Sequence, residues 1–388
     1  MNRFHVAVIG GGGTGAATAW DLSRRGFRVT VLERGELTSG TTGRHHGQLH
    51  SGARYALADR TIARECMVET LILRRIAADC MEYNQGLFIA LDEAEAALAA
   101  EFVDACRGAG IGAVEIPVRR ALAMEGAVNP LVLKAVLVPD GTIDAYRLPM
   151  RFFASAAALG ADIRTFTEVV GIDRSRGAVT TVRAVDHRSG KPVSVSADAV
   201  VNAAGPWADR VARLAGAEVA LTAAAGTMVA VEGRMTDMVV SRLRRPGDGD
   251  ILVPQRKLSI IGSTQRIVAD RDGLAPTEGE IAFLRSAADN LVPGFSARPV
   301  RAAWTAARPL AGRSSDDGRS ISRDFVLIDH GKKDGVRGLF TMLGGKATTL
   351  RAMAETASDA VDGYFGTGTR CGTATAELAP YADYWRQR

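Results

Sequence analysis

The chain has 388 residues, 47% of them hydrophobic and 23% charged, with a net charge of +5; this length can bury a large core and predicts roughly two to three domains. The mild basic excess fits an anionic small molecule or a membrane surface, and without basic runs interleaved with aromatics it speaks against nucleic acid. Cys66, Cys80, Cys106 and Cys371 make no Cys-x-x-Cys pair, which argues against an iron–sulfur or zinc site and for free thiols in a reducing cytoplasm, so no metal is expected.

The opening residues predict no signal peptide, and no apolar run is long enough to span a bilayer. Any membrane contact is therefore expected to be peripheral. Val6 to Ile9 reads as one buried parallel strand. It enters Gly10-Gly11-Gly12-Gly13-Thr14-Gly15, followed by a helical pattern from Ala16 to Arg25 and a second strand, Arg28 to Leu32. The spacing is Gly-x-Gly-x-x-Gly between strand and helix. Gly10 permits the tight turn, Gly12 lets the backbone approach a pyrophosphate, and Gly15 lets helix and strand pack closely. Glu33 lies 18 residues past Gly15, where an acidic side chain would accept from a ribose hydroxyl. A dinucleotide site follows from this arrangement.

Residues 34–55 are too polar and glycine-rich for a core element, yet hold three of the six histidines (His45, His46 and His50). A functional loop is predicted. Leu57 to Met81 carries helical spacing, Gly86 to Leu91 reads as a strand, and Glu93 to Gly108 as one alanine-rich helix. Short strands are expected near Val114 and at Ala135 to Val138, with Pro139-Asp140-Gly141-Thr142 as a turn. Asp144 then caps a helix to about Leu159. Ala161 to Phe166 reads as a strand, Gly177 to His187 and Val193 to Ala197 as a hairpin, and Ala199 to Trp207 as a buried strand with a glycine turn. Strands dominate from Val219 to Ile261. A helix opens at Pro276-Thr277-Glu278, strands follow at Arg298 to Ala307, Phe325 to Ile328 and Leu339 to Met342, and Gly344-Gly345-Lys346 turns into a last long helix. Nucleotide-type segments at both ends and in the middle, with strand-rich segments between them, predict one discontinuous domain and a second inserted in pieces.

Several stretches together resemble the FAD-dependent glycerol-3-phosphate dehydrogenases of the D-amino-acid-oxidase-like flavoprotein superfamily, most of all the catalytic subunit of the anaerobic bacterial enzymes. They are the glycine loop, His50-Ser51-Gly52-Ala53-Arg54-Tyr55, Val138 to Thr142, Val200 to Gly205, Asp250 to Pro254, Arg308-Pro309-Leu310, Ser322-Arg323-Asp324 and Gly344-Gly345-Lys346. The resemblance covers residues 4 to about 365 in family order. It departs at Ala225-Gly226-Thr227-Met228, where the family commonly has Lys-Gly-Ser, at Leu350, where an aromatic is usual, and in the tail, which lacks the cysteines of an iron–sulfur domain.

The resemblance implies an α/β fold of mixed α+β character: a discontinuous Rossmann-like FAD-binding domain (1–85, 140–215 and 308–365) with an inserted antiparallel-sheet substrate domain (86–139 and 216–307). Residues 366–388 form a C-terminal tail. The cofactor set comprises Gly10, Gly12, Thr14, Gly15 and Glu33 from spacing. Resemblance adds Thr41 and Thr42 to the phosphates, Val169 at the adenine, and Ala204, Gly205 and His46. Gly344, Gly345, Ala347 and Thr348 would aim a helix N-terminus at the flavin, where it favours the reduced form.

For chemistry, a secondary alcohol needs a base at its hydroxyl while hydride leaves the same carbon for flavin N5. His50 is the candidate base, because imidazole ordinarily titrates near neutral pH, with His46 second. Arg54, Arg308, Arg323 and Lys346 would hold a substrate phosphate. Arg308 and Lys346 also face the reacting end, and Tyr55 hydrogen-bonds the substrate or packs. The expected activity is oxidation of sn-glycerol 3-phosphate, or a close polyol phosphate, to the ketone. Electrons leave for a quinone or a partner subunit, within a homo- or hetero-oligomer. Two alternatives stay open: an oxidase or dehydrogenase of a secondary amine or hydroxy acid, and an FAD-carrying electron-transfer subunit.

Overall fold

A computed structural model describes residues 4–312 and 324–386. The opening unit is strand His5–Ile9, helix Gly13–Arg24 and strand Arg28–Leu32. The two strands pair in parallel with His5 opposite Arg28, and Ala199–Asn202 runs parallel along the other side of His5–Ile9. That central position explains the unbroken apolar run, since both faces of the strand are covered. Across the sheet the order is Phe325–Asp329, Leu339–Gly344, Ala199–Asn202, His5–Ile9, Arg28–Leu32 and Asp162–Arg164. Only Phe325–Asp329 is antiparallel to its neighbour.

Alternation along the first strand feeds two cores. Val6 and Val8 pack with Trp20, Phe152 and Ala354, from helices Gly13–Arg24, Arg147–Ala158 and Leu350–Phe365. Ala7 and Ile9 pack on the opposite face with Ile172, Val182 and Val195. Those three come from a three-stranded antiparallel sheet, Thr167–Ser175, Ala178–Asp186 and Pro192–Ser196. The last two strands are the predicted hairpin. Thr167–Ser175 was not read from the sequence: it is half-exposed, and its register slips between Val169 and Gly171, which blurs its alternation.

The second sheet draws Gly86–Ala90, Val114–Ile116 and Lys134–Val138 together with strands between Leu221 and Ala311. Its long spine is Leu221–Glu232 against Val300–Ala311, antiparallel with Ala224 opposite Arg308. One pair, Val239–Arg242 with Gly86–Ala90, is parallel. Glu278–Leu291 covers this sheet through Leu284, Ala288 and Leu291, and starts with a capping box between Thr277 and Glu280.

The single helix expected over Glu93 to Gly108 is two, Glu93–Ala97 and Ala99–Gly108. Glu95 is drawn into the core, where its carboxylate accepts from Leu91 N and from Arg242; no glycine or proline marks the step. The C-terminal residues pack back on the first core: Leu378 and Tyr384 are buried, and Arg151 Nε donates to the Ala379 carbonyl. Among the described residues no helix is long and apolar enough to cross a membrane.

Candidate active site

The glycine loop is set by contacts that leave no room for a side chain. Gly10 has φ +115°, and a Cβ there would lie 2.5 Å from the Ala203 carbonyl oxygen; one on Gly15 would lie 1.9 Å from the Gly10 oxygen. Helix Gly13–Arg24 therefore sits directly on the end of its strand, as the motif predicts. Its N-cap, Gly12, has no side chain to cap it and the first turn carries no acid, so the positive end of the helix opens on the cleft and its partners come from other segments. Thr42 Oγ1 accepts from Gly13 N at 2.9 Å, which leaves its own O–H to donate. Glu33 accepts from Gly11 N at 2.6 Å and from Gly35 N at 2.7 Å, pinning the turn after the second strand to the loop.

This loop opens on a cleft of about 1220 Å³, above the about 300–1,000 Å³ usual for a small-molecule site. Gly10, Gly12, Thr14, Glu33, Thr41, Thr42, Val169, Ala204 and Gly205 all line it, and so do Gly344, Gly345, Lys346 and Ala347. Gly15 and Thr348 do not line it. Gly15 serves helix packing, and Thr348 Oγ1 accepts from the backbone N–H of His50 at 3.1 Å. Thr41 donates to the Ala307 carbonyl at 2.6 Å, tying the loop to the second sheet. A dinucleotide fits these groups: a helix N-terminus, the Thr42 hydroxyl as a donor and the Glu33 carboxylate as an acceptor beside the loop; the Thr41 hydroxyl, spent on the Ala307 carbonyl, does not donate to a phosphate as the sequence reading expected. A loop of the second sheet also reaches the cleft, where the Asp272 carboxylate accepts from Arg210, Arg34 and Trp207 Nε1. Arg210 and Arg34 hold it down at about 2.

The histidine loop lines the same cleft. His46 and His50 stand with ring centroids 6.2 Å apart, His50 and Tyr55 5.6 Å apart, and Lys346 Nζ lies 5.1 Å from the Tyr55 ring centroid. His46 Nδ1 accepts from Gln48 N at 3.2 Å. His50 Nδ1 is buried with no hydrogen-bond partner. Arg54 Nη2 donates to the Gly247 carbonyl at 3.0 Å and to Asp250 at 3.3 Å, while its Nη1 is buried without a partner. Arg308 donates through Nη1 to Gln265 Oε1 at 3.3 Å and through Nη2 to the Thr264 carbonyl at 3.3 Å and to Ser263. Arg54, Arg308 and Lys346 thus converge on one cavity, and Arg323 lies outside the described residues. Gln48, Ser263, Gln265 and Gly226 also line it; Gln48, Ser263 and Gln265 lie in a short strand or irregular segments without a motif, whereas Gly226 belongs to the Ala225-Gly226-Thr227-Met228 stretch, where the sequence shows a departure from the family pattern but no role for the glycine. Among the described residues no group of three or more His, Cys, Asp or Glu side chains could hold a metal ion.

Electrostatics correct one premise. His50 does not titrate near its ordinary value: burial, then His46, Arg54 and Lys346, push it well below 6.5. Burial, then His45, Arg54 and Arg308, lower His46 to about 3; burial lowers His45 to about 4. The rings are partly open to the cleft, so water there screens part of this cost. The imidazoles are neutral at working pH, the form that accepts a proton.

This carries a stability consequence. Below about 6.5 the unfolded chain protonates these rings and the folded one resists, so the unfolded state binds more protons and stability falls with pH toward the folded midpoints. Glu65, raised to about 6 by burial and by Asp324, acts in the opposite sense. Thermal melts of the cofactor-free protein are expected to drop between pH 7 and 5, and less so in the His45→Gln/His46→Gln variant. Equal slopes would contradict the assignment.

The sequence pattern of the family described as "FAD dependent oxidoreductase" matches residues 5–359. One subunit of the anaerobic glycerol-3-phosphate dehydrogenase of Escherichia coli (strain K12) is 41% identical over 376 residues, spanning 96% of this chain and 69% of that protein. Among solved structures, glycine oxidase from Geobacillus kaustophilus superposes with TM-score 0.76 at 24% identity, covering 97% of this chain and 99% of that one. Glycerol-3-phosphate dehydrogenase from Bacillus halodurans, complexed with FAD, gives TM-score 0.74 at 22% identity over 97% of this chain and 68% of that one. At those identities the two structures speak for the fold alone. With a family pattern over nearly its whole length and a relative this similar, the chain belongs to the FAD-dependent oxidoreductase family and, within it, to the branch that holds these anaerobic glycerol-3-phosphate dehydrogenase subunits.

Proposed function

We propose that this chain oxidises sn-glycerol 3-phosphate, or a close polyol phosphate, to the ketone (dihydroxyacetone phosphate in the first case). One observation carries the reading. A single cleft is lined both by the glycine loop with Glu33 and by His50, Arg54, Arg308 and Lys346. The 41% identity to part of a glycerol-3-phosphate dehydrogenase supports it.

FAD, when bound, supplies the two-electron acceptor. The glycine loop, Glu33, Thr42 and the turn from Gly344 to Ala347 would hold it. Neutral His50 takes the substrate's hydroxyl proton as the adjacent carbon is oxidised. Arg54, Arg308 and Lys346 receive the phosphate; burial first, then His46 and the charges of Arg54 and Lys346, keep the imidazole deprotonated until substrate arrives. In this reading residues 1–85, 140–215 and 308–365 bind the cofactor and residues 86–139 and 216–307 the substrate. Electrons then pass to a partner protein or a quinone. The relative is named as one subunit of its enzyme, which supports a partner protein, and four free cysteines fit a cytoplasmic setting, peripheral on the membrane where the acceptor is a quinone.

Anaerobic titration of the FAD-loaded protein with a panel of polyol phosphates, amines and hydroxy acids tests the reading. Glycerol 3-phosphate is expected to bleach the flavin absorbance. Bleaching by amines or hydroxy acids alone would replace the substrate, and a colour that survives every compound would make the chain an electron carrier.

A further inference from the structure

The segment that carries His50 hangs on a carboxylate that does not itself line the cleft. Asp140 is 1% exposed. Its Oδ1 accepts from Ser51 N at 2.7 Å and Ser51 Oγ at 2.6 Å, and its Oδ2 from Gln48 Nε2 at 2.8 Å. Those donors flank His50 on both sides. The His50 backbone is closed as well: its N–H donates to Thr348 Oγ1, and its carbonyl accepts from Thr70 Oγ1 at 2.6 Å. The residues just past Asp140, Gly141–Ile143, pair antiparallel with Gln48–Leu49. One stretch, Asp140 with the strand Gly141–Ile143, thus supplies both the ladder and the side-chain anchor for the histidine segment.

A buried carboxylate costs desolvation that an apolar contact would avoid. Here Arg74 gives its hydrogen bonds to the carbonyls of Pro139 and Asp140 and not to the carboxylate. What the carboxylate gains is direction. Charge-assisted bonds to a backbone N–H, a hydroxyl and an amide fix three donors at short range, and they fix the two residues between which the His50 side chain leaves the backbone. We infer that Asp140 is the positioning residue for His50, setting where the imidazole stands in the cleft. The inference rests on His50 being the base.

The test is a double-mutant cycle on the FAD-loaded full chain, read by rapid mixing with glycerol 3-phosphate. Asp140→Ala is expected to slow flavin reduction by about 100-fold, the size of a displacement near 1 Å, with half-saturation little changed. In a His50→Ala background the same change should cost almost nothing further. Asp140→Asn should recover most of the rate, because the Gln48 amide can turn to accept from the new donor. In cofactor-free protein, amide exchange over 48–52 should quicken in Asp140→Ala. If that variant does not fold, Ser51→Ala removes one of the three bonds and should show a smaller loss with the same non-additivity. Losses that multiply with His50→Ala, or exchange over 48–52 that stays unchanged, would overturn the positioning role. An inert His50→Ala would instead overturn the base assignment itself.

Discussion

Replacing His50 with alanine is expected to slow substrate-driven bleaching of the bound flavin by about 10²- to 10⁴-fold, the usual reach of a positioned general base. The protein should keep its FAD. Two observations set this expectation. The imidazole is held neutral by burial and by His46, Arg54 and Lys346, so it is ready to accept a proton at pH 7 and well below. Its backbone is fixed at both ends by Thr348 and Thr70, so the ring does not have to be ordered when substrate arrives. The groups expected to hold the cofactor are the glycine loop, Glu33, Thr42 and the turn from Gly344 to Ala347, and none of them is the His50 side chain, which is why retention should survive. His46→Ala should cost less. Its Nδ1 is already occupied by Gln48 N–H, and it is the more strongly crowded by Arg308. Rapid-mixing reduction rates across pH 6 to 8 check both variants. A wild-type rate in His50→Ala would remove it as the base, and a larger loss in His46→Ala would transfer the role.

The opening unit was legible because its causes are local. Four apolar residues, a glycine spacing and an acid at the end of the next strand each act within about thirty residues, and the structure reproduces them at Gly10, Gly15 and Glu33. The histidine loop was legible as a site by its excess of imidazoles in a polar, glycine-rich stretch and by the family resemblance of His50 to Tyr55. What surrounds those rings comes from far along the chain. Arg308 is bound by Ser263, Thr264 and Gln265, and Asp140 reaches back across about ninety residues to Ser51. No periodicity marks such partners: Pro139-Asp140-Gly141-Thr142 reads as a turn, whereas in the structure Gly141–Ile143 is a short strand paired with Gln48–Leu49 and the Asp140 carboxylate faces inward. The strand Thr167–Ser175 escaped for a different reason. A β-bulge beside Val169 breaks the period-two pattern that a strand assignment needs. The step at Leu98 escaped because Glu95 is pulled down by Arg242, a tertiary demand with no local residue to signal it.

Arg308→Ala is expected to raise the half-saturating concentration of glycerol 3-phosphate by about 10- to 100-fold, the worth of a charge-assisted pair. For glycerol the same change should move half-saturation by no more than about threefold. The guanidinium is aimed by the backbone. Arg308 lies opposite Ala224 in the sheet, and its side chain passes over Gly226, where a Cβ would stand 2.4 Å from Nη2 and 2.8 Å from the Thr264 carbonyl oxygen. Only a bare backbone at that point lets the fork lie flat against the strand and face the cleft. Gly226→Ala should therefore weaken the phosphorylated substrate in the same direction, by displacing the arginine without removing it. Arg308→Lys should restore charge but not the two-pronged geometry, and recover only part of the loss. The decisive comparison is between the two substrates: if Arg308→Ala weakens glycerol and glycerol 3-phosphate equally, the residue shapes the cleft and the phosphate is held by other groups.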